Sequence, residues 1–252
     1  MSPARQARLD ARNGRLGPTR GVALGFVQCN LVVLRQELAY EFLLYCQRNQ
    51  KACPVLEVCD AGDPEPRRLA PGADLRTDLP RYAIYRKGVR QEDREEILDL
   101  WEDDFVSFLI GSGITFDEAL QRAGVPTGKH RWVLRTTVPT EPAGRFHGTL
   151  IVTMRWLTPE QAEIATRVTA RFPFNHGAPV HIGDPEAIGA DLAAPLFGGA
   201  VGARPAALVP VFWACGVTPQ AAAEAARIDL MITHAPAHGF ISDLRAEELC
   251  LP

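Results

Sequence analysis

The chain divides into short elements by its hydrophobic pattern. Residues 26–34, Phe-Val-Gln-Cys-Asn-Leu-Val-Val-Leu, form a β-rich run that predicts a strand. Residues 37–48 set Leu38, Phe42 and Tyr45 on one face and Glu41 and Arg48 on another, which predicts a helix. A short strand is expected over 53–59, an ordered loop over the Pro-, Gly- and Asp-rich residues 62–80, and a strand and turn over 82–89. Ile97, Leu98, Trp101, Phe105 and Phe108 recur at helical spacing, so 95–108 reads as a second helix, broken at Gly111-Ser-Gly113. A third helix is expected over 116–123, stopped by Gly124 and Pro126.

The middle of the chain has another character. Residues 132–138 and 149–157 alternate like strands. Thr158-Pro159-Glu160 carries a cap, a first-turn proline and an early acid, and so starts a helix to about Arg171. Another strand is expected over 180–182. Further on, 185–192 reads as helical, and 208–215 as a continuous apolar strand of the kind buried on both faces. A helix over 221–227 follows, with Thr218 as its cap and Pro219 at its first position, and then a strand over 230–234. The expected fold class is α/β: a three-layer outer domain from residues 1–125 and 185–252, with a smaller α+β domain, 126–184, inserted.

Composition narrows the functional classes. The 252 residues carry a formal net charge of −3, which argues against a nucleic-acid surface. The arginines near the start, including Arg20, lie in a polar arm that reads as frayed or docked. No apolar run approaches a membrane span, and no secretory leader pattern opens the chain. Six cysteines without CxxC spacing point to reduced thiols and a cytoplasmic setting, and give no zinc pattern.

The richest stretch for chemistry is Arg171-Phe-Pro-Phe-Asn-His-Gly-Ala-Pro-Val-His-Ile-Gly-Asp184. His176 and His181 can give or take protons near neutrality, and Asp184 can fix one imidazole's tautomer or act as an acid. The same residues also fit a buried turn whose imidazoles satisfy backbone carbonyls. Cys215 stands where a strand meets a helix start, so Gly216, Val217 and Thr218 could dock an anion; a core cysteine is the plainer reading of Cys215 itself. His234 and His238 are spaced like paired metal ligands, but Pro236 breaks a helix between them and no further ligand set is identifiable, so no metal is expected. Arg135, Arg145 and Arg155 offer guanidinium forks for carboxylates, or plain surface charge. Asn30 and Gln28 are amides within an apolar strand that must find partners if buried. No Walker, GxGxxG, GxSxG or HExxH motif occurs.

Several segments in order resemble the D-glutamate cyclase family of hydro-lyases. They are Gly17-Pro-Thr19, Gln28-Cys-Asn-Leu-Val32, Cys53-Pro-Val-Leu-Glu57, residues 69–80, Gly144-Arg-Phe-His-Gly148, and residues 176–185, 211–219 and 233–236. The chain departs from the family pattern at Ser112-Gly113, where a Cys-Ser pair is usual, and at Thr137 and Ala237. The resemblance implies an α/β domain with a smaller α+β domain, and a lyase that removes water, as in closing D-glutamate to 5-oxo-D-proline without a cofactor. In such a reaction Arg145 or Arg155 would hold a carboxylate and the helix start after Cys215 would polarise the carbonyl. His181, His176 or His234 would move the proton, with Asp184 orienting one of them, and His238 and Asn30 would line the substrate. The expected partner is a small carboxylate, with a homo-oligomer left open. Two other classes stand beside this one: a non-catalytic carboxylate-binding protein, and an amide hydrolase dependent on Cys215.

Overall fold

The computed structural model describes residues 1–128 and 131–251. Its helices are α1 (Pro3–Arg12), α2 (Gln36–Arg48), α3 (Asp117–Arg122), α4 (Pro159–Ala170) and α5 (Thr218–Ala226). Its strands are β1 (Phe26–Arg35), β2 (Val55–Val58), β3 (Tyr82–Arg86), β4 (Val89–Arg94), β5 (Phe105–Gly111), β6 (Trp132–Pro139), β7 (Thr149–Leu157), β8 (His181–Ile182), β9 (Val209–Ala214), β10 (Leu230–His234) and β11 (Phe240–Arg245). Among the described residues no helix is long and apolar enough to cross a membrane.

The fold is α/β with two sheets. The larger runs β2-β5-β1-β10-β3-β4, with β11 also paired to β1; the smaller runs β6-β7-β9-β8. Every strand pair in both is antiparallel. The strand at 208–215 is buried as expected, yet it joins the smaller sheet between β7 and β8 rather than returning to the larger one. In sheet membership the smaller unit therefore extends past residue 184. Apolar runs buried on both faces are not reserved for parallel sheets, because β1 is buried in the same way.

Side-chain alternation along β1 explains its double burial. Val32 and Leu34 face a core shared with Phe42 and Tyr45 of α2 and Ala222 and Ala223 of α5. Val27, Leu31 and Val33 face the opposite core, roofed by Leu69, Leu75 and Leu79 from the loop over 62–80 and by Ile97 after β4. Phe42 meets Phe108 and Phe146 edge-on, at 4.8 and 5.2 Å between centroids. The N-terminal arm is docked: Arg8 is buried and bonds the Ile241 carbonyl and Asp243, both at 2.7 Å.

Three local expectations fail for physical reasons. Residues 95–108 form a single 3-10 turn, Leu98–Leu100, and then enter β5. The apolar residues at helical spacing belong to two elements. Phe105, Val106, Phe108, Leu109 and Ile110 are a β-favouring run buried on both faces, and sheet burial overrides the helical period. Residues 185–192 make only the 3-10 turn Pro185–Ile188, ended by Gly189 at φ +60°. Thr218 is not a cap. Val217 holds that place, and the Thr218 hydroxyl donates to the Cys215 carbonyl at 2.8 Å and accepts from the Ile151 N–H at 3.1 Å, pinning α5 to β7. The α4 start is as expected, with a full capping box between Thr158 and Gln161.

One feature of β1 prepares the site. Its first half pairs with β11 as far as Cys29 opposite Phe240; its second half pairs with β10 from Val32 opposite Thr233. Asn30 and Leu31 fall at the exchange, and the Leu31 N–H donates to Nδ1 of His234 at 3.3 Å. On its other side β1 pairs continuously with β5 to Gly111. A Cβ on Gly111 would lie 1.8 Å from the Phe174 carbonyl oxygen, so only glycine lets the 3-10 turn Pro173–Asn175 close over the end of β5. Gly111→Ala should therefore lower stability by about 1–3 kcal/mol or more, read by urea denaturation; an unchanged midpoint would show that the turn yields freely.

Candidate active site

Where β1 exchanges partners, a cavity of about 270 Å³ opens between the two sheets. That volume gives room for a small metabolite. Arg20, Arg131 and Arg155 line it, and no acidic side chain among the described residues does.

The arginines converge on one carboxylate. Asp117, at the start of α3, is 3% exposed. It accepts from Arg131 at 2.7 and 2.8 Å and from Arg155 at 2.7 Å, and Arg20 approaches to 3.7 Å. Burial works against its charge, but Arg131 and Arg155 outweigh burial and hold its carboxyl below the usual range. Arg20 also donates to the Thr127 and Gly128 carbonyls. Its loop is held by Thr19, which bonds the Ala237 carbonyl through both N–H and hydroxyl, at 2.8 and 3.2 Å. Arg155 lies over the rings of Phe116 and Trp213, at 5.8 and 5.3 Å. Burial and then Arg131 push its guanidinium down to about 9, still charged at neutral pH.

Three guanidiniums against one carboxylate leave two positive charges over. Nε and one terminal nitrogen of Arg155, and Nε of Arg131, are buried with no hydrogen-bond partner among the described residues. Orphaned charged donors in a closed site are costly, and an anion with two acceptor oxygens would satisfy them.

Two histidines complete the lining. His176 follows the Pro173–Asn175 turn with φ +76°, which turns the chain so that its ring reaches the cavity. Its Nδ1 stands 3.0 Å from the Lys51 carbonyl oxygen. His234, at the end of β10, accepts from Leu31 as described. Burial pushes both imidazoles down to about 4, so both are neutral at physiological pH.

Cys215, Gly216 and Val217 also line the cavity, but burial raises the Cys215 thiol above its ordinary value despite hydrogen bonds from Thr153 and the Val217 N–H. A thiol so raised is not a ready nucleophile. Asn30 lines the cavity beside Gly216 and donates to the Gly111 carbonyl at 3.1 Å. Its amide lies where a Cβ on Gly216 would be, 2.0 Å from Nδ2, so glycine at 216 is required for that wall to close.

Of the residues expected from sequence, the cavity gathers Asn30, Arg155, His176, Cys215, Gly216, Val217 and His234. It does not gather the rest. His181 packs over Phe212 at 5.7 Å, and its Nε2 donates to the Asp184 backbone carbonyl at 2.7 Å. The Asp184 carboxylate orients no imidazole; it accepts the Glu186 N–H at 3.0 Å and starts the next turn. Arg145 is exposed and paired with Glu41 of α2 at 3.2 Å. Thr218 is buried behind the wall, and His238 folds onto the Pro236 carbonyl at 2.7 Å. Among the described residues no group of three His, Cys, Asp or Glu could hold a metal ion.

Sequence reading did not single out Arg131, Asp117, Ser112 or Thr153 for the site, and gave Arg20 only to the polar arm. Isolated arginines carry no local signal. Their role depends on a carboxylate 97 positions from Arg20 and 38 from Arg155.

Comparison with known proteins agrees with the earlier resemblance. The family model described as D-glutamate cyclase matches residues 106–243. A provisionally named hydro-lyase of Bacillus licheniformis is 52% identical, covering 94% of this chain and 93% of its own. A similarly named protein of Stutzerimonas stutzeri is 52% identical over 99% of this chain and 96% of its own, and one of Bacillus subtilis 49% identical over 100% of both. With identity at this level across almost its whole length, the chain belongs to the D-glutamate cyclase family of hydro-lyases.

Proposed function

We propose that this protein is a lyase that removes water from a small amino dicarboxylate, closing it to a lactam as in the conversion of D-glutamate to 5-oxo-D-proline. The observation that carries this reading is the set of unpartnered guanidinium nitrogens of Arg131 and Arg155 in a cavity of metabolite size. A carboxylate brings two acceptor oxygens and a negative charge to these donors, and bonds between ionised partners are the stronger kind. The Asp117 carboxylate fixes the forks beforehand, so binding needs little rearrangement.

The other carboxyl of the substrate then lies on the side of Asn30, Gly216 and the two histidines. There a neutral imidazole can take a proton from the amino group, and N–H donors can face the oxygen that gains charge. Family membership supports the loss of water as the reaction class. Six free cysteines support a reducing, cytoplasmic setting.

Incubation with D-glutamate should yield a product lighter by one water, read by mass spectrometry. Binding without that loss would make the protein a carboxylate-binding module instead. Arg155→Lys keeps the charge and loses the fork; kcat/KM should fall at least about 30-fold, equivalent to about 2 kcal/mol, mostly through KM. Cys215→Ser should leave turnover within about tenfold, whereas a thiol nucleophile would lose far more; a loss above about 10³-fold would restore the hydrolase reading.

A further inference from the structure

The two cavity histidines are held in opposite tautomers. A carbonyl oxygen can only accept, so the bond to Lys51 puts the proton of His176 on Nδ1 and leaves the lone pair on Nε2. A backbone N–H can only donate, so the bond from Leu31 puts the lone pair of His234 on Nδ1 and the proton on Nε2. Both residues line one cavity, and in each ring Nε2 is the nitrogen left free of the bond that fixes the tautomer, basic in His176 and protonated in His234.

We propose that His176 moves the protons of the reaction while His234 keeps its own and serves as a fixed hydrogen-bond donor to the reacting carboxyl oxygen. The proposal rests on the dehydrative ring closure put forward above. His234 cannot reload a lost proton through Nδ1, which is already engaged; surrendering the Nε2 proton would leave an imidazolate. A neutral imidazole that donates without transferring is a known way to polarise a carbonyl.

The steps balance around His176 alone. Its Nε2 takes one proton from the substrate ammonium, freeing the amine. The amine nitrogen attacks the carboxyl carbon and a C–N bond forms, with the negative oxygen on the His234 N–H. His176 passes its proton to the other carboxyl oxygen, takes the second proton from nitrogen, and delivers that to the same oxygen as the C–O bond breaks. Water leaves carrying both protons, and both histidines end as they began.

The charged groups around them suit these roles. Lys51 lies beside His176, with its Nζ near Gly177, and His238 lies beside His234; Arg20, Arg131 and Arg155, with Asp117 behind them, form the cationic wall of the same cavity. None of the lining groups is an acid that would charge an imidazole.

Long-range ¹H–¹⁵N NMR of histidine-labelled protein, without substrate, tests the division directly. At neutral pH one cavity ring, His176, should show a protonated Nδ1, and His234 a protonated Nε2. Rings sharing one tautomer, or a charged His176, would overturn the proposal. With D-glutamate as probe, His176→Asn should lower kcat by about 10²–10⁴-fold. His234→Gln, which keeps an acceptor for Leu31 and a donor for the substrate, should retain far more activity than His234→Ala. Since the base works neutral and its pKa is lowered to about 4, kcat should stay level as pH falls past the ordinary 6.5 and decline only toward 4. A His176→Asn enzyme within about tenfold of the parent would overturn the role of His176. Absence of any D-glutamate turnover would instead count against the proposed activity, and the NMR result would still decide the tautomers.

Discussion

Asp117 draws three parts of the chain to one point. Through one buried carboxylate it ties the N-terminal loop by Arg20, the approach to β6 by Arg131 and the middle of β7 by Arg155. Burying the Asp117–Arg155 pair, with Arg131 and Arg20 partly buried beside it, is expensive, and their mutual attraction repays it only in part. What the arrangement secures is placement: the smaller sheet presents its arginines to the end of the larger one at fixed angles. Among the described residues no second carboxylate meets these three arginines, so the hub leaves positive charge over at the cavity.

Much of the fold is legible in the sequence because burial follows period. The helix at α2 and the strands at β1, β6, β7 and β10 follow from spacing that matches the buried faces found. The failure at 95–108 is instructive. Ile97 and Phe105 face one core and Phe108 the other, so residues that mimic one helical stripe are divided between a turn and a strand. Sheet partners distant in sequence decided the outcome, and no local pattern reports them.

The candidate site was legible in part for a related reason. His176 and His181 sit in one eye-catching stretch, but the positive φ at His176 and Gly177 reverses the chain between them, so one ring reaches the cavity and the other lies over Phe212. What separates their chemistry is the carbonyl each finds, that of distant Lys51 for His176 and that of neighbouring Asp184 for His181. Arg145 carried the motif and proved to be surface charge on Glu41, while Arg131 carried no motif and lines the cavity.

The exchange of partners along β1 has a consequence for how this protein can change. The His234 side chain fills a rung that backbone would fill in an uninterrupted ladder. The same atom group thus serves the architecture of the sheet and the wall of the cavity. Replacing it by an apolar residue strands an amide in the dry interior, so drift at this position is constrained from two directions at once. New specificities would arise more readily among the cavity's other lining residues, whose loss leaves the ladder intact.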